Sequence, residues 1–266
     1  MVILAPPMAE ISPCFANVTT DDSLHAQLLR QMQWFRGQTY MEDGAVQQHQ
    51  LSQGRLHRED SDNQAWHLLM LRPNGAVYGC SRLMLYGDSV KFHELSASRS
   101  ALALLGGWQR KLRSAVEYHI ESARQQGIGF AEAGGWALAH AMRHSADALR
   151  IALGTYGLAN LLGGCLGIAT ATVRHSSASI LRRLGGQSLK GLGEELPRYF
   201  DARYGCEMEI LRFDSRSLSG RFAPWANELR KDLVCVPLVR SRYSLANLHD
   251  ALCLQNCSPK AAFATF

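Results

Sequence analysis

The sequence predicts an α/β fold in which a mixed β-sheet is flanked by helices. The strongest indication lies in residues 127–186, where short apolar runs typical of strands alternate with runs that repeat at helical spacing. A second indication lies in residues 66–86, where two apolar runs flank Pro73-Asn74-Gly75, a turn typical of an antiparallel hairpin. A strand–helix–strand unit and a hairpin together predict a sheet with both parallel and antiparallel neighbours.

The predicted elements follow in a simple order. Asp21 or Asp22 is expected to cap a first helix that runs through residues 24–41, because apolar residues recur there at helical spacing. The polar residues 47–64 show no period and are expected to form a mobile loop before the hairpin. The elements predicted after the hairpin are an amphipathic helix at 100–126, a strand at 128–138, a helix at 145–162, a strand at 166–173, a helix at 176–184 and a strand at 204–213.

The chain is expected to form one main domain with a short segment at each end. Its 266 residues are enough to bury a substantial core. Residues 1–20 are expected to be a loose leader, residues 21–214 the main domain, and residues 215–266 a C-terminal extension of unclear role. Within that extension, a short helix at 225–232 and an apolar run at 234–239 stand out.

Composition excludes several classes of function. Hydrophobic residues make up 47% and charged residues 19%, which is typical of a globular protein, and the formal charge of +5 is too modest and scattered to indicate nucleic acid binding. No apolar run is long and unbroken enough for a signal peptide or a membrane span. The cysteines form no C-x-x-C pair, so we expect buried thiols in a cytoplasmic protein without a metal site; they are Cys14, Cys80, Cys165, Cys206, Cys235, Cys253 and Cys257.

One carboxylate is a candidate for acid–base chemistry. Glu132 lies in an otherwise apolar predicted strand, where burial would raise its pKa and favour a role as general base. It could instead face solvent or pair with an arginine such as Arg82. Gly134 and Gly135 follow in the same strand, and strand glycines mark either the close approach of a ligand or a bulge.

At this point the order of elements resembles the GNAT acyltransferase superfamily, and in detail the acyl-homoserine-lactone synthases and the long-chain N-acyl amino acid synthases. The resemblance covers roughly residues 28–214. The residues that carry it are Arg36 and Tyr40 with an arginine–aromatic spacing, the acids Glu59, Asp60 and Asp62, Arg82 within GCSRLML, Phe92 with Leu95, and the stretch from Glu132 to Trp136.

The resemblance implies a splayed, GNAT-like mixed sheet and an N-acyltransferase activity. The donor would be a fatty acyl thioester of acyl carrier protein or coenzyme A, acting as co-substrate without a tightly bound cofactor or metal, and the acceptor would be the amine of a small amino acid-like molecule. Glu132 would be catalytic. The substrate-binding residues would be Arg36, Tyr40, Asp60, Asp62, Arg82, Phe92, Gly134, Gly135 and Trp136, and the residues that bind the donor's phosphates would be Gly154, Gly157 and Ala159.

Two departures from the family pattern keep alternatives open. Gly135 stands where the synthases carry an arginine, and the phosphate loop survives only as Gly154-Thr-Tyr-Gly157-Leu-Ala159, which close helix–sheet packing would explain equally well. The rival hypotheses are a short-chain acetyl-CoA-dependent N-acetyltransferase and a catalytically inert GNAT-like domain that binds an acyl carrier or another protein. The oligomeric state is left open.

Three further expectations concern surfaces and single side chains. Arg82 is expected to pair with Asp60 or Asp62 rather than bind an acceptor carboxylate, and His175 is expected to belong to a helix N-cap. An acyl channel is considered along Met84, Leu85, Phe92, Leu102, Leu104, Leu105 and Trp108. The basic residues considered for contact with an acidic acyl carrier protein are Arg110, Lys111, Arg113, Arg182 and Arg183.

Overall fold

The computed structural model describes residues 1–143, 145–174 and 176–243. His175, Cys253 and Cys257 lie outside these residues. The described strands are β1 (Val2–Leu4), β2 (Val18–Thr20), β3 (Trp66–Leu71), β4 (Val77–Tyr86), β5 (Gly129–Leu138), β6 (Cys165–Thr172), β7 (Gln187–Ser188), β8 (Lys190–Gly191), β9 (Glu194–Glu195), β10 (Tyr199–Asp201), β11 (Cys206–Asp214) and β12 (Leu238–Arg240). The described helices are α1 (Asp22–Glu42), α2 (Ala101–Leu104), α3 (Trp108–Gln125), α4 (Asp147–Leu161), α5 (Ser177–Leu184) and α6 (Ala223–Cys235).

Ten of the described strands form one mixed sheet. Their order is β10-β11-β6-β5-β4-β3-β1-β12-β2, with β7 beside β11, while β8 and β9 form a separate hairpin. Parallel pairs occur at β5–β6, β1–β12 and β12–β2, and the other described pairs are antiparallel. The prediction of an α/β fold with a mixed sheet flanked by helices is therefore confirmed.

Helices cover both faces of the sheet. Side chains alternate along β4, so that Cys80 packs with α1 and Tyr86 with the α3 cluster, whereas Leu83 packs in the cluster of α4 and α6. We call these the α1/α3 face and the α4 face. None of the described helices is long and apolar enough to cross a membrane.

Asp21 caps α1 as the sequence predicts, but the leader prediction is wrong. The Asp21 carboxylate accepts a hydrogen bond of 2.9 Å from the backbone N–H of Leu24. Residues 2–4, by contrast, form β1, which lies buried in the sheet between β3 and β12. A three-residue strand is too short to show a period, and its neighbour β12 is more than 230 residues away in the sequence. β12 and α6 belong to the segment predicted as the C-terminal extension.

The helix predicted at residues 100–126 is divided in two. α2 ends at Leu104, and α3 begins at Trp108 after Gly107, which has the left-handed φ of 83°. Glycine adopts this conformation without a steric penalty, so the Gly106-Gly107 pair allows the chain to change direction between the two helices.

Candidate active site

The two central parallel strands separate halfway along their length. β5 and β6 pair from Gly129 opposite Cys165 to Ala133 opposite Ala169. Beyond that point β5 continues alongside β4, up to Leu138, and β6 continues alongside β11. Beyond this point β5 and β6 no longer pair with each other, and a wedge-shaped opening is left in the middle of the sheet.

A cleft of about 600 Å³ occupies this wedge. Glu132 on the α1/α3 face and Ala133 on the α4 face both line it, so the cleft passes through the sheet. Its α1/α3 mouth is mostly polar and is lined by Tyr40, His57, Arg58, Glu59, Asp60, Ser61, Arg82, Ser96, Arg99, Ser100, Tyr199, Asp201, Arg203 and Tyr204. Its α4 mouth is mostly apolar and includes Ala148, Ala152, Tyr156, Ile180, Leu181 and Phe213.

Glu132 lies buried in the wall of the cleft, where its carboxylate holds the loop at Ser96 and Ala97. One oxygen, Oε2, accepts hydrogen bonds from the Tyr86 hydroxyl at 2.6 Å and the Ser96 backbone N–H at 2.8 Å. The other oxygen, Oε1, accepts one from the Ala97 N–H at 2.9 Å. A carboxylate has about four lone-pair sites. Oε1 therefore keeps one site that can take a proton or a further hydrogen bond from a group in the cleft.

A β-bulge changes the direction of β5 where the cleft opens. Arg82 lies opposite Gly134 and Cys80 opposite Ala137, so Gly135 and Trp136 both face the single residue between them on β4. Gly135 has a φ of 60°, and a Cβ there would lie 3.1 Å from Arg82 Cβ and 3.2 Å from an Arg36 guanidinium nitrogen. The arginine that the synthases carry at this position has no room here, because Arg36 and Arg82 already surround it.

Gly135→Ala is expected to lower the free energy of unfolding by about 1–3 kcal/mol, from the left-handed φ and the contact with Arg82. Gly134→Ala is the matched control, since its nearest neighbour would be 3.6 Å away and its φ is ordinary. Urea unfolding of the two variants measures the difference. Equal stability of the two would contradict the bulge geometry.

A buried ion pair lies beneath the α1/α3 mouth. The guanidinium of Arg36 donates to both carboxylate oxygens of Asp62, at 3.0 and 2.7 Å, and neither side chain is more than 1% exposed. Gln33 and the Glu59 backbone N–H each add a hydrogen bond to Asp62 at 3.1 Å. Burial by itself would raise the pKa of Asp62, but Arg36 outweighs it and holds that pKa far below its usual range.

Arg82 is engaged within the same network. Its guanidinium forms a salt bridge with Glu59 and lies 3.4 Å from Asp62. The sequence predicts pairing of Arg82 with Asp60 or Asp62; the structure shows the longer contact to Asp62, while the principal partner of Arg82 is Glu59. Among the residues that the structure describes, Asp60 lines the cleft without a hydrogen bond or ion pair.

Sequence reasoning missed His57, which lies between the ion pair and the cleft. Arg36 Nε donates to His57 Nδ1 at 3.1 Å, and the His57 ring meets the edge of the Tyr40 ring with centroids 5.1 Å apart. Burial and the Arg36 charge lower the pKa of His57 to about 4. The imidazole is thus neutral at physiological pH and carries its proton on Nε2. No motif marks this residue, because its position depends on Arg36 in a distant helix.

The unfolding free energy is expected to fall as the pH drops from about 6.5 toward 4. Burial lowers the pKa values of His57 and His67 to about 4. The unfolded chain therefore binds more protons than the folded one in this window, which destabilises the fold as the pH falls. Urea unfolding across the window measures this effect, and His67→Gln should flatten the slope. A slope that His67→Gln leaves unchanged would contradict this assignment.

Other predicted site residues divide into those at the cleft and those elsewhere. Tyr40 and Gly134 both line the cleft. The Tyr40 hydroxyl donates a long 3.4 Å hydrogen bond to the Trp136 carbonyl. Phe92 does not line the cleft, because its ring is buried against α3 in a separate apolar cluster. Within the described residues, no group of three or more His, Cys, Asp or Glu side chains is arranged to hold a metal ion.

The phosphate-loop prediction is wrong for this chain. Gly154, Gly157 and Ala159 lie in the middle of α4, whose first turn begins at Asp147, so their N–H groups belong to helical hydrogen bonds. A Cβ on Gly154 would lie 2.7 Å from Leu68, and one on Gly157 would lie 3.1 Å from Leu233. These glycines let α4 pack closely on β3 and α6.

The predicted acyl channel also lies away from the cleft. None of its seven apolar residues lines the cleft; Leu102 is buried in the α3 cluster, and Leu104 and Leu105 are exposed. The apolar wall comes instead from residues of α4, α5 and β11, among them Ala152, Leu181 and Phe213. Sequence cannot separate an apolar residue that lines a void from one that fills the core.

The basic residues considered for contact with a carrier protein differ in their partners. Lys111 pairs with Glu194, Arg113 with Glu117 and Arg182 with Glu209. Arg110 and Arg183 are exposed and have no hydrogen-bond or ion-pair partner in the part of the chain that the structure describes.

Comparison with known proteins supports the fold. No protein-family model and no curated protein matches the sequence. Among solved structures, TofI in a ternary complex with an inhibitor and MTA matches with a TM-score of 0.53 at 15% identity, over 88% of this chain and 100% of that chain. BjaI, a CoA-dependent acyl-homoserine lactone synthase with SAM and isopentyl-CoA, matches with a TM-score of 0.51 at 13% identity, over 82% of this chain and 88% of that chain. These matches, with the splayed sheet, confirm that this chain has a GNAT-like fold similar to that of the acyl-homoserine-lactone synthases.

Proposed function

We propose that this protein is an N-acyltransferase that moves a fatty acyl group from a carrier thioester to the amine of a small amino acid-like acceptor. The observation that carries the proposal is the cleft through the splayed sheet, with a buried carboxylate in its wall. One mouth is polar and charged and the other is apolar, so the cleft is suited to two substrates of opposite character that meet at its centre.

The polarity of the cleft supports a different side for each substrate. The apolar α4 mouth, with Ala148, Ala152 and Phe213, suits the acyl chain, because burying each methylene contributes about 0.8 kcal/mol. The charged α1/α3 mouth suits the amine acceptor. Both acyl carrier protein and coenzyme A thioesters remain candidate donors.

The chemistry needs a base beside the acceptor amine. An acceptor that enters as an ammonium gives one proton to Glu132 Oε1, and its nitrogen then attacks the thioester carbonyl carbon. As the tetrahedral intermediate collapses, the C–N bond remains, the C–S bond breaks, and the nitrogen's second proton passes to the departing thiolate. The products are an amide, a free thiol and one proton, which leaves Glu132 for solvent. A positioned general base typically contributes about 10²- to 10⁴-fold to the rate.

The open edge of β5 provides a site for the negative charge that develops on the thioester oxygen. Past Ala133 this edge has no strand partner among the described residues, and Gly134 and Gly135 leave its backbone accessible from the cleft. Backbone N–H groups at such an edge can stabilise an oxyanion, and loss of one such donor typically costs about 3 kcal/mol.

Mass spectrometry of lipid extracts from cells that express the protein tests this function, because one product identifies donor and acceptor together. We expect an N-acyl amino acid-like lipid that is absent from cells expressing Glu132→Gln. Short-chain N-acetyl products would instead favour the acetyltransferase alternative. Equal product with and without Glu132 would contradict the proposed role of that residue, and extracts identical to those of empty cells would favour an inert carrier-binding domain.

A further inference from the structure

The cleft contains two arginines that the protein itself leaves unpaired. Six arginines line it, and four are engaged: Arg82 with Glu59, Arg143 with Asp43, Arg203 with Asp201 and Arg212 with Gln187. Arg58 and Arg99 have no hydrogen-bond or ion-pair partner among the residues that the structure describes. Both are exposed at the polar α1/α3 mouth, where a guanidinium can meet an incoming anion.

Arg99 is the one that belongs to the loop held by Glu132. It ends the short 3₁₀ turn Ser96–Arg99, whose first two backbone N–H groups hold the Glu132 carboxylate. Its charge also reaches the Tyr86 hydroxyl that donates to Glu132. Burial and the Glu132 carboxylate raise the pKa of Tyr86, whereas Arg82 and Arg99 act in the opposite direction. A cation on this loop and the carboxylate that holds the loop therefore both line the cleft.

We propose that Arg99 binds the carboxylate of an α-amino acid acceptor and so places the acceptor's amine at Glu132. An α-amino acid carries its ammonium and its carboxylate on one carbon, and this mouth presents both a carboxylate, Glu132, and an unpaired guanidinium, Arg99. The guanidinium fork binds a carboxylate bidentately, which fixes orientation as well as adding affinity. Arg58 lines the same mouth and adds a second positive charge. This inference rests on the proposed function, because it assigns a residue of the same site to the acceptor's carboxylate.

Matched acceptor pairs test the inference. The probes are L-phenylalanine with phenethylamine and L-leucine with isopentylamine, supplied with decanoyl thioesters of coenzyme A and of acyl carrier protein. We expect the wild type to prefer each amino acid over its decarboxylated partner. Arg99→Gln should lower kcat/KM for the amino acids by about 10- to 100-fold, mainly through KM, because it removes a charge-assisted pair of hydrogen bonds. Its kcat/KM for the amines should fall much less than its kcat/KM for the amino acids.

Two control variants sharpen the result. Arg99→Lys should restore part of the preference, because it keeps the charge and loses the fork. Arg230→Gln should change nothing, because Arg230 is an exposed arginine of α6 outside the cleft, without a hydrogen-bond or ion-pair partner among the described residues. Equal loss for amino acids and amines in Arg99→Gln would overturn the inference, as would a wild type that uses both equally.

Calorimetric titration separates this inference from the proposed function. L-Phenylalanine and phenethylamine are titrated into the wild type and Arg99→Gln without any acyl donor. Binding of the amino acid that weakens in Arg99→Gln supports the carboxylate site even if no amide is ever made. Binding that Arg99→Gln leaves unchanged, or no binding of the amino acid to the wild type at saturating concentration, overturns it.

Discussion

Glu132→Gln is expected to lower kcat for amide formation by about 10²- to 10⁴-fold, the usual contribution of a positioned general base. The reason is geometric, because Glu132 lines the cleft and its Oε1 accepts only one hydrogen bond from the described residues. A glutamine retains the size of the side chain but cannot take up the ammonium proton. Steady-state kinetics with an acyl thioester and an amine measure the loss.

Glu209→Gln is the matched control for this variant. Glu209 is a buried carboxylate on β11, engaged by Arg182, and it does not line the cleft. It therefore reports what loss of a buried strand carboxylate does to folding alone. We expect Glu209→Gln to keep most of the activity. If Glu132→Gln is impaired no more than Glu209→Gln, Glu132 acts only as a structural anchor for the loop at Ser96 and Ala97.

Asp62→Ala is expected to lower the unfolding free energy by about 3–5 kcal/mol, because it leaves the Arg36 charge buried without its partner. Arg36 is fully buried, and Asp62 supplies both of its carboxylate contacts. The effect should depend on pH. The folded-state pKa of Asp62 is depressed, so its stabilisation is complete above about pH 4, the unfolded value, and is lost as the pH falls further toward the folded-state pKa.

Urea unfolding at neutral and acidic pH measures this contribution. The difference between wild type and Asp62→Ala should be largest near neutral pH and should shrink below about pH 4. Asp60→Ala is the control, since Asp60 is exposed in the same loop and unpaired among the described residues. A difference that stays constant with pH would contradict the assignment of this stability to the ionised Asp62.

Local sequence pattern was enough to predict the elements that a short stretch of sequence determines. The Pro73-Asn74-Gly75 turn between apolar runs correctly predicts the β3–β4 hairpin, and Asp21 correctly marks the start of α1. Glu132 stands out as the lone charge of an apolar strand, and the structure places it in the wall of the cleft. Its catalytic role stays a prediction.

Features that depend on distant partners could not be predicted from local pattern. β1 is held by β12, from the other end of the chain, and appears in the sequence only as a short apolar run. Gly154 and Gly157 have a phosphate-loop spacing, but their role depends on α4 beginning at Asp147 and on Leu68 and Leu233 packing against them. His57 shows the same limitation, because its neutral form depends on burial and on the neighbouring Arg36 of α1.

The most direct test of the account is the coupling of thiol release to amide formation in purified protein. An acyl thioester is mixed with the protein with and without a candidate amine, and the free thiol and the N-acyl product are quantified together. Acyl transfer within the cleft should release thiol only when amine is present, in an amount equal to the amide formed, and Glu132→Gln should suppress both. Thiol release that is independent of amine and yields free fatty acid would contradict the central claim.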